Sequence, residues 1–407
     1  MEGKEIRIVF RHSVDTKNIP STTYGTYCLY NYPAKFIPHV IAYVFENYSN
    51  GSAKIFDPFA GYGTVGSVSR VYGYDYELWD LNPMLKYFHE TSLLEPKEVN
   101  SGEIIQNIQS SRFSFVPDWQ RLSYWHPQEF LPTLYSSWGF YHSLEDGSYL
   151  KRLLVIPLLK VTRYFSYDDM QKQKLSQSPF SRQRISSLGL SWKEIYFRML
   201  KKEIEITSEK ITEFSQLSPK RTQSVIKSGV DVLSTDLEEH KNILITSPPY
   251  LQSQEYFRQA KLDLFWLGHK ENEIKQLRKL EIPYREVKAA EILSETFELY
   301  RSEIHDKYLL KLYERYFWGV LGALTHLQEK IDDYLCIFVG RASIQGQSIP
   351  IDRICAEHFG KLGWEHKATF VDDIVSSRLF KYKKNPATQR EDKRAKTENL
   401  VILKRKR

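Results

Sequence analysis

Lys54-Ile55-Phe56, a short apolar strand, runs directly into Asp57-Pro58-Phe59-Ala60-Gly61-Tyr62-Gly63-Thr64, and Val65 to Val71 can then open a helix. A strand, a glycine turn and a helix in immediate succession make half of a parallel α/β unit, whose loop leaves the carboxyl end of the strand, where such sheets bind ligands. Gly61, Gly63 and Gly66 keep the G-x-G-x-x-G spacing, and Asp80 follows about 20 residues on, where a ribose-binding acid belongs. This one segment constrains the fold more than any other part of the chain.

The residue at the mouth of the strand narrows the ligand. A dinucleotide would bring its pyrophosphate to the helix N-terminus, against the charge of Asp57. S-adenosylmethionine carries a sulfonium and an ammonium, so an acid there attracts it. Asp80 ends the strand Tyr76-Glu77-Leu78-Trp79 and can accept both ribose hydroxyls, while Asn82-Pro83 turns the chain into the next helix. The plainer role for Asp80 is to cap that helix.

A second segment, Thr246-Ser247-Pro248-Pro249-Tyr250, follows the apolar strand Ile243-Leu244-Ile245. An exocyclic amine on a base is a poor nucleophile because its lone pair is delocalised into the ring. A hydroxyl at Ser247 and a carbonyl at Pro248, which no local helix can consume, suit its protons, and Tyr250 offers a face for stacking. Alone, a proline pair after a strand is more often a plain turn.

Taken together, the two segments resemble the amino-methyltransferases of DNA, whose cofactor loop reads D-P-F-x-G-x-G-T and whose catalytic loop reads S/D/N-P-P-Y/F/W. Tyr32-Pro33-Ala34-Lys35-Phe36-Ile37-Pro38 is similar to the family's leading cofactor motif. Phe338 to Gly346, Ile349-Pro350, Asp373-Ile374 and Arg378-Leu379 look like its closing elements. The resemblance implies a Rossmann-like α/β class I methyltransferase fold, with a mainly parallel seven-stranded sheet, a closing antiparallel hairpin and a large, mostly helical insertion.

The same resemblance implies a site-specific enzyme that moves a methyl group from S-adenosylmethionine to the N4 amine of cytosine in duplex DNA, by base flipping and direct in-line transfer. Carried over residue by residue, Lys35, Phe36, Asp57, Pro58, Phe59, Gly61, Gly63, Thr64, Asp80, Asn82 and Asp231 would bind the cofactor. Ser247, Pro248, Pro249 and Tyr250 would form the catalytic loop. Serine in its first position is usual for cytosine and Asp or Asn for N6-methyladenine, so the adenine reading is the first alternative. An RNA amino-methyltransferase and a non-catalytic DNA-binding module follow. Carbon methylation is disfavoured, because Cys28, Cys336 and Cys355 all lack a preceding proline.

About 165 residues separate the motifs, which gives three parts: 1–85, an inserted helical segment 86–228 that would recognise the DNA target, and 229–407 with the catalytic loop and closing strands. The insertion is rich in aromatics, among them Trp119, Tyr124, Trp125, Trp138, Phe140, Tyr141, Tyr164, Phe165 and Tyr167, which are more often core than nucleic-acid platforms. Leu150 to Val161 and Trp192 to Phe214 have helical apolar spacing. Between them, Met170 to Arg184 carries four positive charges and no negative ones, so Lys172, Lys174, Arg182 and Arg184 are expected on a phosphate backbone.

Further elements are expected as strands at Val230 to Leu233, Tyr334 to Val339, Glu365 to Phe370 and Asn399 to Leu403, with helices at Phe297 to Lys330 and Ile351 to Leu362. Asp231 is a candidate for the cofactor's adenine amine, Asp236 a weaker one. From Arg378 onward, 12 Lys or Arg stand against 3 Asp or Glu, a net +9, which leaves −2 for the rest of a chain totalling +7. Such a basic run attracts polyanions without reading sequence. His126 and His142 lack partners at ligand spacing, so no metal is expected. No apolar run is long enough to span a membrane and three scattered cysteines suit a reducing compartment, so a cytoplasmic monomer is expected. Its partner would be double-stranded DNA, and the restriction-modification resemblance leaves room for a cognate endonuclease acting separately.

Overall fold

The computed structural model describes residues 4–32, 35–172, 174–251, 256–340, 342–373 and 397–406. Pro33, Ala34, Arg341, Ile374, and the basic run from Arg378 to Lys396 lie outside them. Ten strands are described: β1 (Lys4–Ile8), β2 (Lys54–Asp57), β3 (Asp75–Asp80), β4 (Ser224–Ser228), β5 (Lys241–Thr246), β6 (Ile331–Gly340), β7 (Ala342–Ile344), β8 (Gln347–Ile349), β9 (Trp364–Asp373) and β10 (Thr397–Arg405). Eight form one sheet in the order β1-β9-β10-β6-β5-β2-β3-β4, and β7 and β8 form a separate antiparallel ribbon.

Within the sheet only β10 runs antiparallel, to both β6 and β9. The mainly parallel α/β architecture and the closing antiparallel pair match the expectation, but the sheet has eight strands, not seven. The extra one is β1, parallel to β9 at the edge. Its charges, Lys4, Glu5 and Arg7, conceal it in the sequence. Glu5 and Arg7 alternate with Ile6 and Ile8, which pack on the core, the pattern of an edge strand that buries one face.

Both faces of the sheet are covered, as a parallel sheet requires. Helices Pro38–Tyr48 and Thr64–Tyr72 set Val40, Val44, Val65 and Val68 against Ile55, Leu78, Ile243 and Ile245 on one face. On the other, Lys307–Leu327 and Ile351–Lys361 cover Phe56, Trp79, Leu244 and Leu335. Adjacent residues Ile55 and Phe56 therefore serve opposite cores, which is why this strand reads as a continuous apolar run.

Two expected boundaries differ. The strand placed at Val230 to Leu233 lies instead at Ser224–Ser228, which pairs with β3. Gly229, at φ +74°, turns the chain out of the sheet, so the apolar alternation of Val230 and Val232 belongs to a turn. The helix expected over Phe297 to Lys330 is two helices, Glu295–Glu303 and Lys307–Leu327. Asp306 starts the second by accepting from the backbone N–H groups of Tyr308 and Leu309, both at 2.9 Å.

The segment between the motifs is helical, with Ser101–Ser110, Leu131–Ser143, Tyr149–Tyr164 and Trp192–Ser215 as its main helices. They share a core with helix Tyr256–Trp266 and with Tyr30 and Tyr62 beside the glycine loop. Trp119, Trp125, Trp138, Tyr141 and Phe165 are buried there, whereas Tyr124 is exposed. Trp138 donates from its indole to Thr162 Oγ1 at 2.9 Å, which satisfies the polar atom it buries.

Candidate functional site

β2 and β5 are adjacent and parallel, so the two motif loops leave the sheet at the same edge. The last side chains of the two strands join there. Thr246 Oγ1 donates to Asp57 Oδ1 at 2.6 Å, and that oxygen also accepts from Phe59 N at 3.1 Å. Asp57 is 1% exposed, and burial pushes its carboxyl up to about 7 against the lowering effect of these two donors. It lies beneath the cleft and is not among the residues that line it.

The cleft encloses about 760 Å³, part of it open to solvent. One wall is Pro58, Phe59, Gly61, Asp80, Leu81 and Asn82, and another is Ser247 and Pro249. Gly61 and Gly63 sit at φ +53° and +84°, which L side chains rarely adopt, and a β-carbon at Gly61 would stand 3.2 Å from the Tyr32 ring. Gly66 is needed for close packing instead, because a β-carbon there would meet the Tyr76 ring at 2.8 Å.

Asp80 fixes the geometry of the loop. Its Oδ2 accepts from Gly61 N and its Oδ1 from Asn82 N, each at 2.7 Å. Burial raises its carboxyl to about 6, and the two backbone donors oppose that rise. Each oxygen retains a lone pair for a ligand hydroxyl. Asn82 Oδ1 in turn accepts from Met84 N at 3.1 Å, so Asn82 rather than Asp80 supports the start of the next helix.

The remaining walls come from residues without a motif. Tyr32 and Tyr256 line the cleft with Phe257, Leu280, Glu281 and Ile282. Tyr32 lies within the leading motif, but Lys35 and Phe36 were the residues expected at the ligand. Lys35 instead bonds the carbonyls of Thr22 and Tyr27, and Phe36 stacks on Phe338 with ring centroids 5.3 Å apart. Both support the loop from behind. The only sequence signal for Tyr32 was its place in that motif, and Tyr256 had none.

Asp231 does line the cleft, with one carboxylate oxygen held by Arg285 at 2.6 Å and by Leu233 N at 3.1 Å. Asp236 is instead on the surface, paired with His326. In the catalytic loop, Pro248 is buried behind Pro249, and Ser247 has no hydrogen bond among the described residues. Tyr250, unlike Ser247 and Pro249, is not among the residues that line the cleft, and its hydroxyl donates to the Glu398 carboxylate. Thr64 is buried at the start of its helix, away from the cleft lining.

Of the four cations expected on a phosphate backbone, Arg184 is engaged within the fold, donating to the carbonyls of Ser166 at 2.6 Å and Asp168 at 2.8 Å. Lys172, Lys174 and Arg182 are exposed. Beneath this loop Arg163, 8% exposed, is paired with Asp168 and Asp263 at 2.8 Å each. His126 bonds the Phe165 carbonyl and the Trp266 indole, and His142 bonds the Trp266 carbonyl, so both histidines have structural partners. Among the described residues no three His, Cys, Asp or Glu stand together as a metal set, and no helix is long and apolar enough to cross a membrane.

No family model matches the chain, and no curated protein matches it. Among solved structures, the rRNA methyltransferase aviRa from Streptomyces viridochromogenes is similar over 98% of this chain and 96% of its own, at 10% identity and a TM-score of 0.32.

Proposed function

We propose that the protein is an S-adenosylmethionine-dependent DNA methyltransferase acting on the N4 amine of cytosine. The observation that carries this reading is a single cleft lined both by Gly61, Asp80 and Asn82 and by Ser247 and Pro249. A cofactor loop and an acceptor loop on the same cleft are what a two-substrate transfer requires.

The residues fit the cofactor. Gly61 borders the cleft without a side chain, Asp80 holds two fixed acceptors toward hydroxyls, and Asn82 Nδ2 is buried at the wall with no hydrogen bond among the described residues. Asp80 would hold the ribose, Asp231 the adenine amine, and Tyr32 with Phe59 the flat faces. The bound cofactor supplies an electrophilic methyl group on a sulfonium.

The chain's own contribution is orientation. Ser247 accepts a hydrogen bond from the acceptor amine, which turns the nitrogen lone pair toward the cofactor side of the cleft. Thr246 and Asp57 keep the two loops in register, and the prolines keep the catalytic loop out of helical geometry. Lys172, Lys174 and Arg182 provide cations for the polynucleotide backbone.

Expression in a methylation-deficient bacterial host, followed by polymerase-kinetic sequencing and nucleoside mass spectrometry, tests the reading. N4-methylcytosine in one short motif is the expected result. N6-methyladenine, or methylation of RNA alone, would overturn the cytosine assignment, and no modified base in either polymer would overturn the enzyme reading.

A further inference from the structure

Tyr250 is gripped from outside its own loop at two neighbouring points. Its ring lies against Gly340 at the carboxyl end of β6, where a β-carbon would stand 3.3 Å from Cε1. Its hydroxyl donates to the Glu398 carboxylate on β10. Gly340 and Glu398 are registered partners in the β6–β10 ladder. One rung of the β6–β10 ladder therefore supplies both the space for the ring and the acceptor for its hydroxyl.

We propose that Glu398 is a positioning residue for the acceptor base, acting through Tyr250. This rests on the reading of Ser247 to Tyr250 as the acceptor loop. An exposed loop tyrosine would have to be ordered when a base stacks on it, whereas a ring already fixed by Glu398 and Gly340 meets the base in its bound orientation. A phenol committed to a carboxylate leaves its ring, not its O–H, for the substrate. Tyr250 then contributes stacking, which tolerates any planar base, and selection of the amine is left to Ser247.

Because the hydroxyl acts only as a tether, Tyr250→Phe and Glu398→Ala remove the same interaction. Tetranitromethane treatment of the full chain, with nitration at Tyr250 read by peptide mass spectrometry, reports the tether directly. Steady-state methyl transfer to DNA reports its consequence. Tyr250 should be nitrated several-fold faster in Glu398→Ala than in wild type, and Glu398→Gln, which keeps an acceptor oxygen, should stay near wild type. The KM for DNA should rise roughly tenfold in Tyr250→Phe and in Glu398→Ala with a much smaller change in kcat, the scale of one weakened base stack. The double variant should be no worse than either single one.

Gly340→Ala crowds the ring while leaving Glu398 in place, and should raise the same KM even if Glu398→Ala folds poorly. Equal nitration in Glu398→Ala and wild type, or losses that add in the double variant, would overturn the proposal. A wild-type protein that methylates no DNA would instead sink the functional reading, and the nitration result would still decide whether the tether exists.

Discussion

Asp57→Asn should remove a pH dependence of stability that the wild-type protein carries. Asp57 is buried with an acidity near 7, against an ordinary 3.8. The folded state thus holds its proton more tightly than the unfolded chain does, and stability is lost as pH rises from about 4 through about 7. With those two values the penalty is about 1.7 kcal/mol at pH 5 and about 4 kcal/mol at pH 8, a difference of about 2.5 kcal/mol. Asparagine keeps an acceptor for Thr246 and Phe59 but cannot ionise. Any fixed cost of its added N–H groups is the same at both pH values and cancels.

Urea unfolding of both proteins at about pH 5 and about pH 8, followed by tryptophan fluorescence, gives the double difference directly. Asp80, Asp263 and Asp372 are also raised to about 6, so the wild-type slope alone would not isolate Asp57. The variant should gain about 2–3 kcal/mol relative to wild type between the two pH values. Parallel slopes in the two proteins would refute the argument that burial dominates over the Thr246 and Phe59 hydrogen bonds.

Thr246→Val deletes one of those bonds, so it should cost about 1–2 kcal/mol in urea unfolding and push the Asp57 transition to still higher pH. Gly63→Ala places a β-carbon at φ +84° and 3.1 Å from Leu85 Cδ1, so a loss of about 1–2 kcal/mol is expected, with weaker S-adenosylmethionine binding by calorimetry. Arg163→Met leaves Asp168 and Asp263 buried without their shared cation, and thermal melts should show a loss of about 3–5 kcal/mol. Ser247→Ala should lower methyl transfer by roughly 10- to 100-fold while calorimetric cofactor affinity stays unchanged; full activity would remove Ser247 from the site.

What could be read in the sequence was what the backbone demands locally. The glycine loop was visible because Gly61 and Gly63 occupy conformations that few other residues tolerate, and β5 because it is apolar on both faces. β4 and β1 were missed because edge strands bury little: Ser224 and Val225 are exposed, and β1 spends alternate positions on charge. Val230-Asp231-Val232 had the alternation of a strand, and the one residue that denies it, Gly229, stands just before it. Lys35 and Phe36 were placed at the ligand by resemblance, while their partners, the neighbouring Tyr27 carbonyl and the distant Phe338 ring, put them behind the loop.

The unread part of the site is all long-range. Tyr32 and Tyr256 both line the cleft from segments more than 220 residues apart, Asp231 is held by Arg285, and Tyr250 by Glu398. None of these pairings has a spacing that a motif could encode, because each depends on which helix or strand the fold brings alongside. Asp57 shows the division most clearly. Its position at the end of a strand was legible and suggested a ligand contact, yet the partner that defines its role is Thr246, 189 residues on. A carboxyl that bridges two loops needs only to accept hydrogen bonds, and burial is tolerable near neutral pH because the same burial keeps it substantially protonated. Ionisation strengthens the bonds that Thr246 and Phe59 donate while it exposes the cost of a buried charge, so raising the pH should lower the stability of the whole fold and leave the bridge between the cofactor and acceptor loops in place.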